Sequence, residues 1–353
     1  DIRADYNEKV PKTNEEVSKP TWLNIGYFCL QDIMKGLELK KYCNNLTADR
    51  KVTFDSYTIL RFLTYARILD PKSKYATWDR LNTYYEKPKF EYQHILRFMD
   101  ILEEHQEEYL RWLYEYSSRI VPRDDSVMYY DCTNFYFECE KEDEEVIDEV
   151  TGEIMDGFRK FGLSKEHRPN PIVEMGLFMD NRGIPVSMCL HSGNTCEQVT
   201  AVPLEKEILR MTHGKSFIYC ADAGLGSYNI RLFNSMGGRG FIVTQSVKKL
   251  GDILKQAVFN DYDYRLLSND APVRIERMKE FDRFDEDNRG LYEDFAYKVI
   301  PADHAMDLGL YEEKLLKNGK VQRVKAKGTL KQRVIITFSR KMMEYQRTIR
   351  NRQ

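Results

Sequence analysis

The chain has 353 residues, 42% of them hydrophobic and 31% charged, which is enough for a sizeable core and for two or three domains of an ordinary soluble protein. No apolar run approaches the roughly 20 residues that span a bilayer, and the polar start Asp1-Ile2-Arg3-Ala4-Asp5 has no signal-peptide core. The seven cysteines are odd in number and show no metal-ligand spacing, so reduced, mostly buried thiols in a cytoplasmic protein are expected rather than a disulfide framework.

The formal net charge of −2 hides an uneven distribution. Residues 138–156 carry ten acidic side chains and one basic, whereas residues 314–353 carry thirteen Lys or Arg and one acidic residue, Glu344. A charged run is commonly a solvated face. Forty residues at formal +12 point further, to a nucleic-acid partner.

In chain order, a polar stretch ends at Pro20 and is expected to be poorly ordered. Leu30, Ile33, Met34 and Leu37 then follow the spacing of a buried helical face, as do Ile59, Phe62, Leu63 and Ala66. The second helix stops at Asp70-Pro71, because proline disfavours helix in the residue before it. Helical pattern continues over 75–84 and over 92–116, with Ile95, Phe98, Met99 and Leu102 on one stripe, and Pro122 closes it. Residues 1–122 therefore read as an all-helical region that could contact DNA.

After Pro122 the period becomes that of strands. Residues 127–137, Val-Met-Tyr-Tyr-Asp-Cys-Thr-Asn-Phe-Tyr-Phe, form an aromatic and β-branched run with one carboxylate, Asp131. A carboxylate there must be paired, bonded, solvated at a strand end or bound to a cation, because burying it bare is costly. Further strands are expected over 172–179, 184–190, 217–221 and 241–244, with a turn at 148–153 in the acidic excursion. Thr195-Cys196-Glu197-Gln198 reads as a capping box opening a helix to about 211, and 227–236 as another helix. Three antiparallel-type strands followed by helix, strand, helix and strand predict a mixed α/β sheet with flanking helices. Residues 251–353 read as a mostly β region, with strands at 295–300 and 334–338 and a basic helix from 342.

A second carboxylate, Asp222, follows the strand over 217–221 and precedes Ala223-Gly224. On the strands alone, two readings stand side by side. Asp131 and Asp222 meet around divalent metal, or one is a bonded structural residue and the other a turn former.

The motifs between and around them resemble those of DDE transposases with an RNase H-like core. Tyr130-Asp131-Cys132-Thr133 is similar to the family's first-aspartate strand, and Ala221-Asp222-Ala223-Gly224-Leu225 to its second-aspartate motif. Gly162-Leu163-Ser164-Lys165-Glu166-His167-Arg168-Pro169-Asn170 resembles a G-x-S-K-x-x-R-P-D element, with Asn170 in place of its Asp. Gly193-Asn194-Thr195-Cys196-Glu197 resembles a G-N-T-x-E turn, and Leu69-Asp70-Pro71-Lys72-Ser73-Lys74 also has a counterpart. Singly each motif is weak; together, in order over residues 55–250, they are similar to bacterial insertion-sequence transposases with a β insertion before the third carboxylate.

The resemblance implies three segments: a helical region over 1–122, a catalytic core over 123–250 and a β-rich insertion over 251–353 that stops before the last catalytic segment. It implies two-metal phosphodiester hydrolysis and strand transfer at insertion-sequence ends, with Asp131 and Asp222 as catalytic metal ligands and two Mg²⁺ or Mn²⁺ ions. Hard divalent ions favour carboxylate oxygens and water, which accounts for aspartate in place of His or Cys. Lys165, His167 and Arg168 are then DNA-phosphate contacts, or else a solvated loop. The partner is double-stranded DNA, the assembly a homodimer on paired ends, and the location the bacterial cytoplasm and nucleoid.

The third acid, a Glu on a helix, has no counterpart here; it is expected beyond Gln353, in a fragment inactive alone. Glu197 is read as a first-turn acid answering the helix dipole, His191 as structural. Three other readings remain: a non-catalytic DNA-binding remnant, a free-standing RNase H-like nuclease and, least supported, a two-carboxylate glycosidase.

Overall fold

The computed structural model describes residues 23–352 apart from 148–151, 153, 156, 281, 283, 287, 288 and 317–320. The expected disorder before Pro20 and most of the turn expected at 148–153 lie outside the described residues. Contacts divide the chain into two compact units, Asp1–Asp124 with Arg182–Met188, and Asp125–Asn181 with Cys189–Gln353.

The first unit contains helices α1 (Phe28–Gly36), α2 (Leu39–Thr47), α3 (Ser56–Leu69), α4 (Lys74–Asp79), α5 (Tyr92–Glu104) and α6 (Gln106–Ile120). Its core is aromatic: Tyr27 packs against Phe62, Tyr65 and Tyr84 with ring centroids 5.0–5.6 Å apart. Helix α3 starts where the Asp55 side chain accepts from the Tyr57 and Thr58 amides, and it stops at Asp70 before Pro71.

Three helical expectations need correction. The helix expected over 75–84 is α4 followed by a single 3₁₀ turn, Leu81–Thr83. The helix expected over 92–116 breaks at His105, within the run Glu103-Glu104-His105-Gln106-Glu107-Glu108, where the half-buried His105 ring nitrogen lies 3.0 Å from the Ile101 carbonyl oxygen. Helix α2 was not expected, although Leu39, Tyr42, Cys43 and Leu46 have helical spacing and three of the four are buried.

The second unit is built on a mixed sheet. Strands β1 (Val127–Tyr136), β4 (Ile172–Met179), β5 (Pro185–Ser192), β6 (Ile218–Ala221) and β7 (Gly240–Val243) lie in the order β5-β4-β1-β6-β7, while β2 (Val146–Ile147) and β3 (Ile154–Met155) form a small separate hairpin. β1 is antiparallel to β4 and parallel to β6, and β6 is parallel to β7. With helices α7 (Glu197–Met211) and α8 (Tyr228–Asn234), this is the mixed α/β arrangement of sheet and flanking helices that the sequence predicts.

Residues 252–352 add α9 (Asp252–Phe259), β8 (Tyr264–Leu266), β9 (Pro272–Val273), α10 (Ile275–Lys279), α11 (Arg289–Glu293), β10 (Ala296–Pro301), β11 (Tyr311–Leu315), β12 (Val321–Lys325), β13 (Arg333–Phe338) and α12 (Arg340–Arg352). Four of these strands form a sheet in the order β13-β10-β8-β9, and β11 pairs with β12. Buried Arg231 of α8 joins this segment to the mixed sheet, donating to the Gly226 carbonyl and to the side-chain oxygens of Gln245 and Gln332.

All seven cysteines are free, but only Cys43 and Cys132 are buried, fewer than expected. Among the described residues no helix is long and apolar enough to cross a membrane.

Candidate active site

Side chains of a strand alternate between faces, and β1 uses both. Met128, Tyr130, Cys132 and Asn134 are buried, whereas Tyr129, Asp131 and Phe135 are exposed. The carboxylate that looked anomalous in an apolar strand therefore lies on the open face, its side chain 68% exposed. Its Oδ1 accepts from the Cys132 amide at 2.9 Å.

The buried face is held by a polar contact inside the core. Tyr130 stacks on Phe178 at 4.5 Å, and its hydroxyl meets Thr200 Oγ1 of α7 at 2.5 Å. Gly176, opposite Cys132 on β4, makes room for this: a Cβ there would lie 2.3 Å from the Tyr130 hydroxyl.

Asp222 leaves the neighbouring strand. The last paired residues of β1 and β6 are Tyr129 and Cys220, so each aspartate lies two residues past that pair, Asp131 still within β1 and Asp222 in the turn that follows β6. The Asp222 carboxylate accepts from the Gly224 amide at 2.8 Å and the Leu225 amide at 3.2 Å, which fixes the turn after β6. Tyr219 braces the same turn from the core, donating to the Leu225 carbonyl at 3.1 Å.

Two of the glycine-bearing motifs prove to be one feature. A Cβ on Gly162 would lie 1.8 Å from the Gly193 carbonyl oxygen, and one on Gly193 would lie 2.2 Å from the Ile172 carbonyl oxygen and 2.5 Å from that of Lys160. Only bare backbone fits on both sides. This close approach ties the loop carrying Lys165 to the turn that leads into Glu197.

The Lys165 loop is anchored along β1. The Lys165 amide donates to Asn134 Oδ1 at 3.0 Å, and Asn134 Nδ2 donates to Glu166 Oε2 at 2.9 Å. The Lys165 ammonium bonds the Cys132 carbonyl and lies 4.0 Å from Asp131 Oδ1. Arg168 lies over the Tyr136 ring at 4.7 Å, and exposed His167 takes a left-handed backbone with φ of 54°.

Glu197 opens α7, but the expected capping box is absent. Cys196 is the N-cap residue without a side-chain bond, Thr195 Oγ1 pairs with Ser192 Oγ at 2.9 Å, and Gln198 donates to the Gly224 carbonyl. The Ser192 and Gly224 partners outcompete the cap and draw the start of α7 to the Asp222 turn. Burial raises the Glu197 carboxyl; Lys165 opposes the rise, and Asp222 and Asp131 add to it, so all three lie within electrostatic reach of this glutamate.

Glu174 was not singled out from the sequence. It stands opposite Asn134 on β4, is 6% exposed, and its Oε2 has no hydrogen-bond partner. Burial and then Glu197 push it up to about 7, with Lys165 opposing. A charged residue within an otherwise apolar strand was the available signal. His191 lies 3.0 Å from Cys189 Sγ, and burial lowers its basicity. Glu344 is engaged elsewhere, accepting from Arg340 at 2.8 Å and from the Tyr292 hydroxyl at 2.7 Å.

Among the described residues no three His, Cys, Asp or Glu side chains are gathered closely enough to hold a metal ion. The donor chemistry of the pair nevertheless suits one: two solvent-facing carboxylates on neighbouring strands, with a cationic side chain already drawn against the first.

No family model and no curated protein matches this chain. Among solved structures it is similar to the Mos1 transposase paired-end complex with left transposon end, with a TM-score of 0.22 and 10% identity over 55% of this chain and 60% of that one. The Mos1 mariner paired-end complex with Mn gives 0.23 and 10% over 60% of this chain and 66% of that one. A piggyBac transposase synaptic complex with hairpin DNA gives 0.33 and 11% over 75% of this chain and 55% of that one. The chain thus spans about three fifths to two thirds of the Mos1 chains and about half of the piggyBac chain.

Proposed function

We propose that this chain is the core of a DNA transposase of the bacterial insertion-sequence type, carrying out phosphodiester hydrolysis and strand transfer. The observation that carries the reading is the pair Asp131 and Asp222, each two residues past the last pairing of two adjacent parallel strands in a β5-β4-β1-β6-β7 sheet.

In this reading Asp131 and Asp222 hold Mg²⁺ or Mn²⁺. When bound, such ions generate the attacking hydroxyl and stabilise the leaving oxygen of an in-line displacement. The protein's own part is positional. The Gly224 and Leu225 amides orient the Asp222 carboxylate, and β1 presents Asp131 to solvent, where a DNA strand can approach. Lys165, His167 and Arg168, on an exposed loop beside the pair, hold phosphates of the DNA end. Residues 123–250 form the catalytic core, residues 251–353 the insertion, and the basic segment 314–353 adds sequence-independent affinity for duplex DNA. The working assembly is a homodimer across paired ends, and a third carboxylate completes the site.

The test is nicking of DNA carrying insertion-sequence ends by this protein with Mg²⁺ or Mn²⁺. Asp131→Ala is expected to reduce nicking to background while DNA binding persists; undiminished nicking by that variant refutes the assignment. A second reading, a non-catalytic DNA-binding remnant, draws on the described residues gathering no three His, Cys, Asp or Glu side chains closely enough to hold a metal ion. It predicts DNA retention with no cleavage by any form of the protein.

A further inference from the structure

Lys165 differs from an ordinary surface lysine in being fixed at both ends. Its amide is held by Asn134, which Glu166 holds in turn, while its ammonium is bonded to the Cys132 carbonyl. The side chain therefore runs back along β1, from Asn134 toward Asp131, and ends 4.0 Å from the Asp131 carboxylate. Its field also reaches Glu197 and buried Glu174, and Glu197 in turn senses Asp131 and Asp222. One anchored ammonium thus sits beside Asp131 of β1 and acts on Glu174 of β4 and Glu197 at the start of α7.

A divalent cation and an ammonium cannot both sit against Asp131 without repulsion. We propose that Lys165 is the resident counter-cation of Asp131, and that it gives up its place when Asp131 and Asp222 take a divalent cation. The released ammonium is then free for a DNA phosphate, so cation loading and backbone grip are coupled through one side chain. This rests on the reading of Asp131 and Asp222 as metal ligands and deepens it. The Asp131–Lys165 contact is half open to solvent, so its strength, and hence the cost of displacing it, is modest.

The experiment is a Mn²⁺ titration without DNA, following free Mn²⁺ by electron paramagnetic resonance, of the wild-type chain, Lys165→Met, Lys165→Arg and Asp131→Asn. Methionine keeps most of the apolar stem and removes the charge, so Lys165→Met is expected to bind Mn²⁺ roughly threefold to tenfold more tightly. Lys165→Arg should titrate close to wild type, and Asp131→Asn should bind at least about tenfold more weakly. If Asp131→Asn loses affinity but Lys165→Met is unchanged or weaker, the role given to Lys165 is overturned and the carboxylate site stands. If Asp131→Asn titrates like the wild type, the carboxylate site itself falls, and the lysine's role with it.

Discussion

Helix α7 carries acids in two contrasting settings. Glu197, in its first turn, is half-buried and within the fields of Lys165, Asp222 and Asp131. Glu205, two turns on, is fully buried, and both of its oxygens accept from Asn234 Nδ2 of α8, at 2.9 and 3.0 Å. Burial pushes the Glu205 carboxyl up to about 8, with Asn234 and Arg239 opposing, so at neutral pH it is largely an uncharged packing element joining two helices. Burial alone therefore does not mark a chemical site. An acid that keeps solvent on one side and a solvent-accessible cation on the other remains available for a ligand; an acid sealed against one amide does not.

The largest expected effect tests this contrast directly. Glu205→Ala should destabilise the fold by about 2–5 kcal/mol, since it leaves a cavity and leaves Asn234 Nδ2 with the Ile230 carbonyl alone, and Mn²⁺ affinity in the folded protein should be unchanged. Glu197→Ala should cost less than about 1 kcal/mol in urea denaturation yet alter Mn²⁺ affinity. Equal destabilisation by the two would erase the distinction. The pH dependence sharpens it: a carboxyl raised from 4.5 to about 8 on folding contributes stability that is complete below pH 4.5 and is lost as pH rises toward 8. Glu205→Gln, neutral throughout, should flatten that decline in urea midpoints measured between pH 5 and pH 8.5.

How far the sequence revealed these settings depended on the kind of signal. The strand around Asp131 and the turn after Asp222 were legible because β-branched and aromatic runs and an Asp-x-Gly turn act locally. The face that Asp131 occupies was not: an apolar strand with one carboxylate is compatible with either side, and the outcome depends on α7 covering the Tyr130 face. The break at His105 was hidden because the apolar stripe stays in phase across it. Glu174 and Glu205 escaped notice because burial of a single acid in a strand or helix is a tertiary fact. The short elements of 252–316 were missed for the same reason, as a two- or three-residue strand such as β9 or β8 has no periodicity to detect.

The next effect concerns the contact that holds the open site together. Gly162→Ala would drive a Cβ against the Gly193 carbonyl, which is backbone and cannot swing aside. A loss of about 1–3 kcal/mol is expected, together with displacement of the Lys165 loop. The second consequence is the more telling, because it predicts a change in Mn²⁺ affinity from a residue with no charge. Unaltered Mn²⁺ binding in a folded Gly162→Ala protein would separate the loop from the carboxylates.

The smallest effect lies on the buried side of β1. Tyr130→Phe removes the hydroxyl that meets Thr200 Oγ1 and accepts from the Cys132 thiol, but Thr200 still donates to the Glu197 carbonyl at 2.7 Å and its Oγ1 lies 3.8 Å from Cys132 Sγ, so neither donor is left without an acceptor. The cost should be about 0.5–1.5 kcal/mol, read as a shift in urea midpoint. Because Tyr130 and Asp131 point to opposite faces, Mn²⁺ affinity should stay within about twofold of wild type, whereas Asp131→Asn should do the reverse, sparing stability and losing the ion. If the phenylalanine variant also weakens Mn²⁺ binding, the two faces of β1 are coupled through the start of α7, and Asp131 depends on the buried network behind it.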